Sequence, residues 1–502
     1  MTLDRHRDVM ETRGLDIRLA HGIALSLRRH WVFFGAFICG CFLRTLVILA
    51  YQPALFYSDS TDYLRHAYLL PLSDWHPVGY SLFLRAVLST RTLVAVPLTQ
   101  HLMVLGSSIL LYATLLRLGV RTQLAALACL PMLMDAYQLQ IEQYVLSEAL
   151  FEALIMAAVA ALLWNPELST HSIFLAGTLL GAATVVRLDA IFLVLPVAAF
   201  AAVIRAGWKR VSALLAISAI PLVWMASLRA SEGEGFSVTG GMGGLWLYGR
   251  VAPFANCAIA RIPRAEQPLC PTQPLGTRPN TSWFENSPNS PSRLVRGGHT
   301  PSPAELSDFA ERVIAAQPID YARTVAVGFI GQFSPTRSEI AGGPSVQPWI
   351  FPTSVAARDR FSPDPELMTT LYGGPRPTLN PQLAAFLHHY QRWAYTPGPV
   401  MAMCLLIALA GLIRSAQGSR RQLAAALLAA LGVMVVLGAV STVQFTWRYM
   451  LPSLALLPPA AALSVGSCGT PRFRRMADIR SPRVAGPNGA APGPTAIRGV
   501  RT

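Results

Sequence analysis

The sequence predicts an all-α polytopic membrane protein with about ten transmembrane helices, interfacial helices in the first outer loop and one large extracytoplasmic loop region. Of its 502 residues, 53% are hydrophobic and 13% are charged, and the mean hydropathy is +0.42. Apolar runs long enough to cross a bilayer recur along the chain. A single long segment, 230–396, is instead rich in Pro, Gly, Ser and Asn.

The first predicted span is the apolar run 31–50. It is long enough to cross a bilayer and lacks the small-residue cleavage site of a signal peptide, so we expect a retained anchor. Arg28 and Arg29 precede it. Because cytoplasmic segments are enriched in Lys and Arg, residues 1–30 are predicted to be a cytoplasmic N-terminal segment.

Nine further apolar stretches complete the predicted bundle. The predicted cytoplasmic turns between them carry Arg or Lys, except 165–170, which has Glu167 and no cation. The apolar stretch 77–90 is short for a span and is expected to be an interfacial or re-entrant outer helix. The nine stretches lie at 93–116, 122–135, 145–164, 171–188, 190–206, 211–228, 397–414, 422–441 and 447–466.

These spans divide the chain into domains, of which 230–396 is expected to lie outside the cytoplasm. Helical periodicity in this loop is confined to 304–316 and 319–330, and 271–303 is typical of irregular coil. Cys257 and Cys270 lie in the loop, where an oxidising exterior favours a disulfide over two free thiols. The predicted parts are the N-terminal segment 1–30, a transmembrane module 31–229, the loop domain 230–396, C-terminal transmembrane helices 397–467 and a disordered basic cytoplasmic tail 468–502.

The formal charge of +15 comes almost wholly from arginine. These residues lie at span ends and in the tails, which indicates membrane orientation and contact with lipid headgroups rather than nucleic-acid binding. The abundance of Ala and Arg is typical of GC-rich bacterial genomes. We therefore expect a bacterial plasma-membrane protein with both termini in the cytoplasm.

Ionisable residues gather at span ends that this topology places on the outer side. Asp59 and Asp62 follow the first span directly. An Asp or Arg at the centre of a membrane helix costs about 2.5–3.5 kcal/mol, so ionisable residues at span ends need solvent or a partner. A shared outward cavity would supply both to Asp59, Asp62, His66, Asp74, His76, Asp135, Glu142, Glu148, Arg187, Asp189 and Arg448.

Each candidate also has a plainer structural interpretation, and the sequence leaves both open. Asp59 is suited to cap a short helix, and Glu148 in the first turn of a span favours the helix dipole. The others have ordinary uses as well: a solvated turn for Arg187 and Asp189, snorkelling to the headgroups for Arg448, and a turn before proline for His76.

Several short motifs occur together over residues 31–228 and again at 447–452. Asp59 precedes a Tyr and an Ala at set intervals, and Glu148 begins a span. The other matching elements are His76-Pro77-Val78-Gly79-Tyr80, the large outer loop 230–396 and Arg448-Tyr449-Met450-Leu451-Pro452. Together they resemble the GT-C type membrane glycosyltransferases, a group that includes protein O-mannosyltransferases and aminoarabinose transferases.

The resemblance implies an enzyme that moves a sugar from a polyprenyl-phosphate donor to an extracytoplasmic acceptor, which could be a glycan, a protein or a lipid. It implies Asp59 as the general base, because its spacing to Tyr63 and Ala67 fits the motif. Many members have an Asp-Glu pair where this chain has Asp59-Ser60, so Asp62 stays an alternative base. The substrate-binding residues it implies are Asp62, Tyr63, His76, Glu148, Arg187, Asp189 and Arg448.

No cofactor is required by this chemistry, although Asp59 and Asp62 could share a divalent cation as oxygen ligands. Two other classes remain open. A transporter or a flippase for lipid-linked saccharides would explain an outward cavity, but no internal repeat is detectable. A noncatalytic envelope-assembly scaffold would explain the loop and tail, but not the gathering of acids and arginines.

Overall fold

The computed structural model describes residues 28–69, 75–233, 235–294, 300–338, 345–362, 364–414 and 419–465. Most of the predicted N-terminal segment, Asp74 and the whole of the predicted C-terminal tail lie outside these residues. Within the described ranges the regular secondary structure is almost entirely helical. The one sheet found there is an antiparallel pair of two-residue strands, β1 (Tyr51–Gln52) and β2 (Thr378–Leu379).

The helices follow the apolar pattern of the sequence. In the described part before residue 234 they are α1 (Arg28–Ala50), α2 (Ser58–Leu69), α3 (Val78–Val87), α4 (Ala95–Arg117), α5 (Thr122–Met134), α6 (Ala136–Gln143), α7 (Glu148–Leu163), α8 (Thr170–Val186), α9 (Ile191–Val203) and α10 (Trp208–Ser231). After it they are α11 (Met242–Val251), α12 (Thr281–Asn286), α13 (Pro303–Ala316), α14 (Pro318–Gly331), α15 (Val355–Asp359), α16 (Pro365–Tyr372), α17 (Pro381–Gln391), α18 (Gly398–Arg414), α19 (Arg420–Thr442) and α20 (Leu451–Val465).

Among the described residues, four helices are long and apolar enough to cross a membrane: α1, α4, α10 and α19. A fifth span results if α5 and α6 are one segment bent by 47°. Shorter apolar helices, among them α8, α9 and α18, occupy other predicted spans. The fold is therefore all-α with several helices able to span a membrane, and the count of ten spans stays a prediction.

The outer loop region has two parts that pack differently. Residues 242–313, the outer subdomain, have a small core of their own around Tyr248, Phe284 and Phe309, and Cys257 and Cys270 form a disulfide bond there. Residues 345–396, the return segment, instead place Trp349 and other apolar side chains in the core of the bundle.

The loop helices α13 and α14 lie where the sequence shows helical periodicity, at 304–316 and 319–330. The stretch 271–303, predicted as irregular coil, contains the short helix α12. Its first turn is capped by the side chain of Asn280, which accepts a hydrogen bond from the backbone N–H of Trp283.

Helix α3 packs its first turn against the end of α8. A Cβ atom at Gly79 would lie 2.5 Å from the carbonyl oxygen of Val185, so only glycine allows this approach. The contact brings the loop at His76 and Pro77 next to Arg187, which follows α8 directly.

Candidate functional site

Helix α2 is held against the chain that precedes α7. The hydroxyl of Ser60 donates to the carbonyl oxygen of Val145 at 2.9 Å, and the hydroxyl of Tyr63 donates to Oγ of Ser147 at 3.2 Å. Ser60, Tyr63, Leu64 and Ala67 are buried, as expected for residues that share a helix face. This packing leaves Asp59 and Asp62 facing a cavity.

The cavity has a volume of about 780 Å³ and is lined by residues from five regions of the chain. These are α2, the segment around His76, the ends of α8 and α19, and the outer subdomain. The lining residues used below are Tyr57, Asp59, Asp62, Tyr63, Trp75, His76, Arg187, Asp189, Trp246, Ser282, Glu285, Asn286, Arg448 and Tyr449.

Two arginines link the carboxylates at this cavity. Arg448 forms an ion pair with Asp59, with 2.7 Å between Nη1 and Oδ2. Arg187 donates to Glu148 Oε1 at 2.9 Å and to Asp189 Oδ2 at 3.0 Å. Glu148 Oε1 also lies 3.5 Å from Nε of Arg448. Glu148 thus lies behind the cavity wall and holds both guanidinium groups near each other.

His76 bridges the two aspartates of α2. Its Nδ1 lies 2.7 Å from Asp62 Oδ2, and its Nε2 lies 3.7 Å from Asp59 Oδ2. Burial alone would lower the pKa of His76, but its interactions with the Asp59 and Asp62 carboxylates raise it to about 9. The imidazole is therefore protonated at neutral pH, donates a hydrogen bond to Asp62 and forms an ion pair with Asp59.

Asp59 is strongly held in its charged form. Burial alone would raise the pKa of Asp59, but the charges of Arg448 and His76 lower it well below its usual range. A carboxylate in this setting is a weak base for as long as its ion pair with Arg448 persists.

Aromatic rings surround the two guanidinium groups. The guanidinium carbon of Arg448 lies 5.1–5.5 Å from the ring centres of Tyr57, Trp349 and Tyr449, and that of Arg187 lies 4.6 Å from Tyr449. Such cation–π contacts orient the cations without neutralising them. In addition, Nε of Arg448 and Oε2 of Glu148 are buried without a hydrogen-bond partner among the described residues.

The structure brings most of the predicted site residues to one place. Seven of them line the cavity: Asp59, Asp62, Tyr63, His76, Arg187, Asp189 and Arg448. Glu148 contacts both arginines from behind. The catalytic and binding roles assigned to these residues stay predictions, since their positions alone do not establish chemistry.

The expectation that Asp135 and Glu142 face the same cavity is wrong. Asp135 binds Arg337 at 2.7 Å. Glu142 accepts two hydrogen bonds from Arg44 and contacts His101 at 2.7 Å. Both carboxylates are almost completely buried. Position at a span end indicates depth in the membrane, but the direction of a side chain depends on the helices packed beside it.

Four residues of the outer subdomain line the cavity and were not among the predicted site residues: Trp246, Ser282, Glu285 and Asn286. Three of them lie on α12, inside the stretch predicted as coil. Their only signal in the sequence is local, because Asn280 is a favoured helix cap and Glu285 is an acid beside apolar residues.

The two aspartates considered for a shared divalent cation are bridged by His76. In the part of the chain that the structure describes, no group of three or more His, Cys, Asp or Glu side chains is arranged to hold a metal ion.

No protein-family model matches the sequence, and no curated protein gives a significant match. Among solved structures, the chain is similar to the crystal structure of the apo oligosaccharyltransferase of Archaeoglobus fulgidus, with a TM-score of 0.41 and 14% sequence identity. The match covers 88% of this chain and 50% of the archaeal chain, so this chain spans about half the length of that protein.

Proposed function

We propose that this chain is a membrane glycosyltransferase that moves a sugar from a polyprenyl-phosphate donor to an extracytoplasmic acceptor. The observation that carries the proposal is the cavity in which Asp59 meets Arg448 and Arg187. Its volume of about 780 Å³ lies within the range of small-molecule sites, about 300–1,000 Å³. It therefore has room for a saccharide and its phosphate.

The arginines suit the donor phosphate. A guanidinium group binds phosphate oxygens through two parallel hydrogen bonds and stays charged at any physiological pH. Arg448 lines the cavity, and its Nη1 meets Asp59 there, so a phosphate that enters the cavity would reach the guanidinium group. Arg448 and Arg187 would also stabilise the negative charge that grows on the leaving phosphate.

Asp59 would act as the general base. The oxygen of an acceptor hydroxyl attacks the anomeric carbon from the face opposite the phosphate, the bond from carbon to the phosphate oxygen breaks, and the hydroxyl proton passes to Asp59. The products are the glycosylated acceptor and the polyprenyl phosphate. Asp62 and His76 would orient Asp59, and Tyr63 and Asp189 would contact the substrates.

The ion pair between Asp59 and Arg448 suggests an order of events. A donor phosphate on Arg448 competes with Asp59 for the same guanidinium group, which raises the basicity of the carboxylate. The base would therefore become effective only after the donor is in place.

The decisive experiment replaces the proposed base. Purified Asp59→Asn protein, supplied with a panel of polyprenyl-phosphate pentoses and hexoses, should lose about 10²–10⁴-fold in transfer rate, the usual contribution of a general base. The exposed Asp308→Asn variant is a matched control and should transfer normally. Normal transfer by Asp59→Asn removes Asp59 from this role, and a selective loss in Asp62→Asn assigns the base to Asp62.

The same assay separates an enzyme from a transporter. A transferase consumes the lipid-linked sugar in detergent without any gradient, whereas a transporter or flippase leaves the donor chemically unchanged.

We place the cavity on the outer side of a bacterial plasma membrane, with both termini in the cytoplasm, because arginines accumulate in the opposite turns.

A further inference from the structure

The outer subdomain contributes one wall of the cavity, and the proposed chemistry uses none of its residues. Trp246 lies on α11, and Ser282, Glu285 and Asn286 lie on α12. The three α12 residues are spaced i, i+3 and i+4, so they share one face of the helix. The side-chain amide of Asn286 donates to the carbonyl oxygen of Ser282 at 3.0 Å, which leaves the amide oxygen available as an acceptor.

Glu285 is the most informative residue of this wall. It is only 5% exposed, and its Oε1 accepts no hydrogen bond from the described residues. No hydrogen bond joins the nearby arginines to its carboxyl group among the described residues. Arg293 donates to the main-chain oxygen of Glu285, and Arg250 donates to that of Thr324. A buried polar atom without a partner costs about 1–3 kcal/mol. Oε1 lies on the side of Gly249 in α11, and the Glu285 side chain also lines the cavity, so its carboxyl group has hydrogen-bonding capacity at this wall.

Glu285 can also donate a hydrogen bond. Burial raises the pKa of Glu285 to about 8, against the opposing charges of Arg250 and Arg293. At neutral pH its carboxyl group is therefore mostly neutral, with both a donor and an acceptor. A group that can both donate and accept a hydrogen bond suits an uncharged ligand rich in hydroxyl groups better than it suits a cation.

We propose that this wall is the acceptor subsite and that the acceptor is itself a saccharide with neutral hydroxyl groups. The inference rests on the proposed glycosyl transfer. A sugar ring presents flat C–H faces and a rim of hydroxyls. The indole of Trp246 offers an apolar face with a polar N–H at its edge, and Glu285, Ser282 and Asn286 offer hydrogen-bonding groups around it.

The other acceptor classes fit this wall less well. An extended peptide is usually held by main-chain pairing along a sheet edge, and the described part of this wall is helical. A lipid acceptor without a saccharide would favour an apolar surface, whereas this wall has a carboxyl, a hydroxyl and an amide group.

The test measures binding without turnover. The full-length protein in detergent is titrated with linear tetrasaccharides of glucose, galactose, mannose and arabinose, and binding is followed by calorimetry. At least one tetrasaccharide should bind the wild type, and Trp246→Ala or Glu285→Ala should weaken its binding by about tenfold, equivalent to about 1.4 kcal/mol. The exposed-site variants Trp393→Ala and Glu311→Gln are matched controls and should bind normally.

The Glu285→Gln variant controls for misfolding as an explanation of lost binding. Its amide keeps a neutral donor and acceptor, so the variant should retain most of the affinity for the tetrasaccharide. The proposal is overturned if no tetrasaccharide binds, if Trp246→Ala and Glu285→Ala bind like the wild type, or if a Ser/Thr-rich peptide binds in place of the sugars.

Failure of this inference can be told apart from failure of the proposed function. If the inference holds, Trp246→Ala should raise the KM for the tetrasaccharide acceptor but leave the KM for the lipid-linked donor unchanged. Transfer that continues normally without tetrasaccharide binding overturns the acceptor assignment alone. Tetrasaccharide binding without any transfer overturns the glycosyltransferase proposal and leaves a saccharide-binding site.

Discussion

Arg44 inside the helical bundle and Arg448 at the cavity are both buried guanidinium groups that face carboxylates. All five N–H groups of Arg44 donate hydrogen bonds, two of them to Glu142 and three to main-chain carbonyls. Arg448 pairs with Asp59, yet its Nε has no hydrogen-bond partner among the described residues. The side chain of Arg44 is 2% exposed and that of Arg448 is 11% exposed.

The comparison teaches how to separate a structural ion pair from a functional one that uses the same residue types. A fully satisfied and closed network has nothing left to offer a ligand and acts to fix the packing. A network with unsatisfied atoms beside a cavity retains capacity for a substrate. The predictions below test this distinction.

The largest effect on folding should come from Arg44→Leu. This change leaves Glu142 charged and buried with His101 as its remaining partner in the network, and removal of one member of a buried pair costs about 3–5 kcal/mol. Thermal or denaturant unfolding in detergent would measure the loss. The activity per folded molecule should be unchanged, and a variant that unfolds like the wild type would contradict a structural role.

Arg448→Ala should instead lower the transfer rate strongly and the stability only slightly. Loss of a group that stabilises charge in the transition state lowers the rate by about 10²–10³-fold, while unfolding changes less than in Arg44→Leu because the site is open to the cavity. The exposed Arg323→Ala variant is the control. A large loss of stability with normal turnover would place Arg448 in the same class as Arg44.

The smallest effect is a pH-dependent contribution of His76 to stability. Its pKa, about 9 in the folded protein, is raised from an ordinary value of 6.5 by Asp59 and Asp62 despite burial. The neighbouring charged and titratable groups are Arg448 beside Asp59 and His66 beside Asp62. Because the pKa is higher in the folded state, protonation of His76 stabilises the folded protein. This stabilisation is fully present below about pH 6.5 and is lost as the pH rises through about 9.

The difference in melting temperature between the wild type and His76→Gln measures this contribution. It should be greatest near neutral or lower pH and shrink above about pH 9, where the imidazole is neutral in both states. A difference that stays constant over this range would show that His76 acts through packing rather than charge.

Much of the fold follows from patterns that are local in sequence. Apolar runs locate the helices, and the periodicity of 304–316 and 319–330 locates α13 and α14. The meeting of Asp59 with Arg448 was also predictable in outline, because the predicted topology places both on one side of the membrane. The number of spans is harder to predict from the sequence, because several apolar helices are shorter than a bilayer requires.

The two wrong expectations have a common physical cause. Hydropathy predicts how deep a residue lies in the membrane, but not the direction in which its side chain points. Asp135 and Glu142 lie next to or near the end of a helix, as expected, but each binds an arginine away from the cavity. Arg44 itself is a signal in the sequence, because an arginine inside an apolar span requires a polar partner. Glu285 could not be placed from sequence, since its position depends on how α12 packs in the outer subdomain.

The short pairing of β1 with β2 has a consequence for biosynthesis. It joins the residues directly after α1 to residues directly before α17, and at about 5–20 residues per second the ribosome delivers the second strand on the order of tens of seconds after the first. Arg448 emerges later still. A nascent chain interrupted before that point carries Asp59 without its guanidinium partner, so the ion pair between Asp59 and Arg448 forms only after the outer subdomain and the return segment have been synthesised.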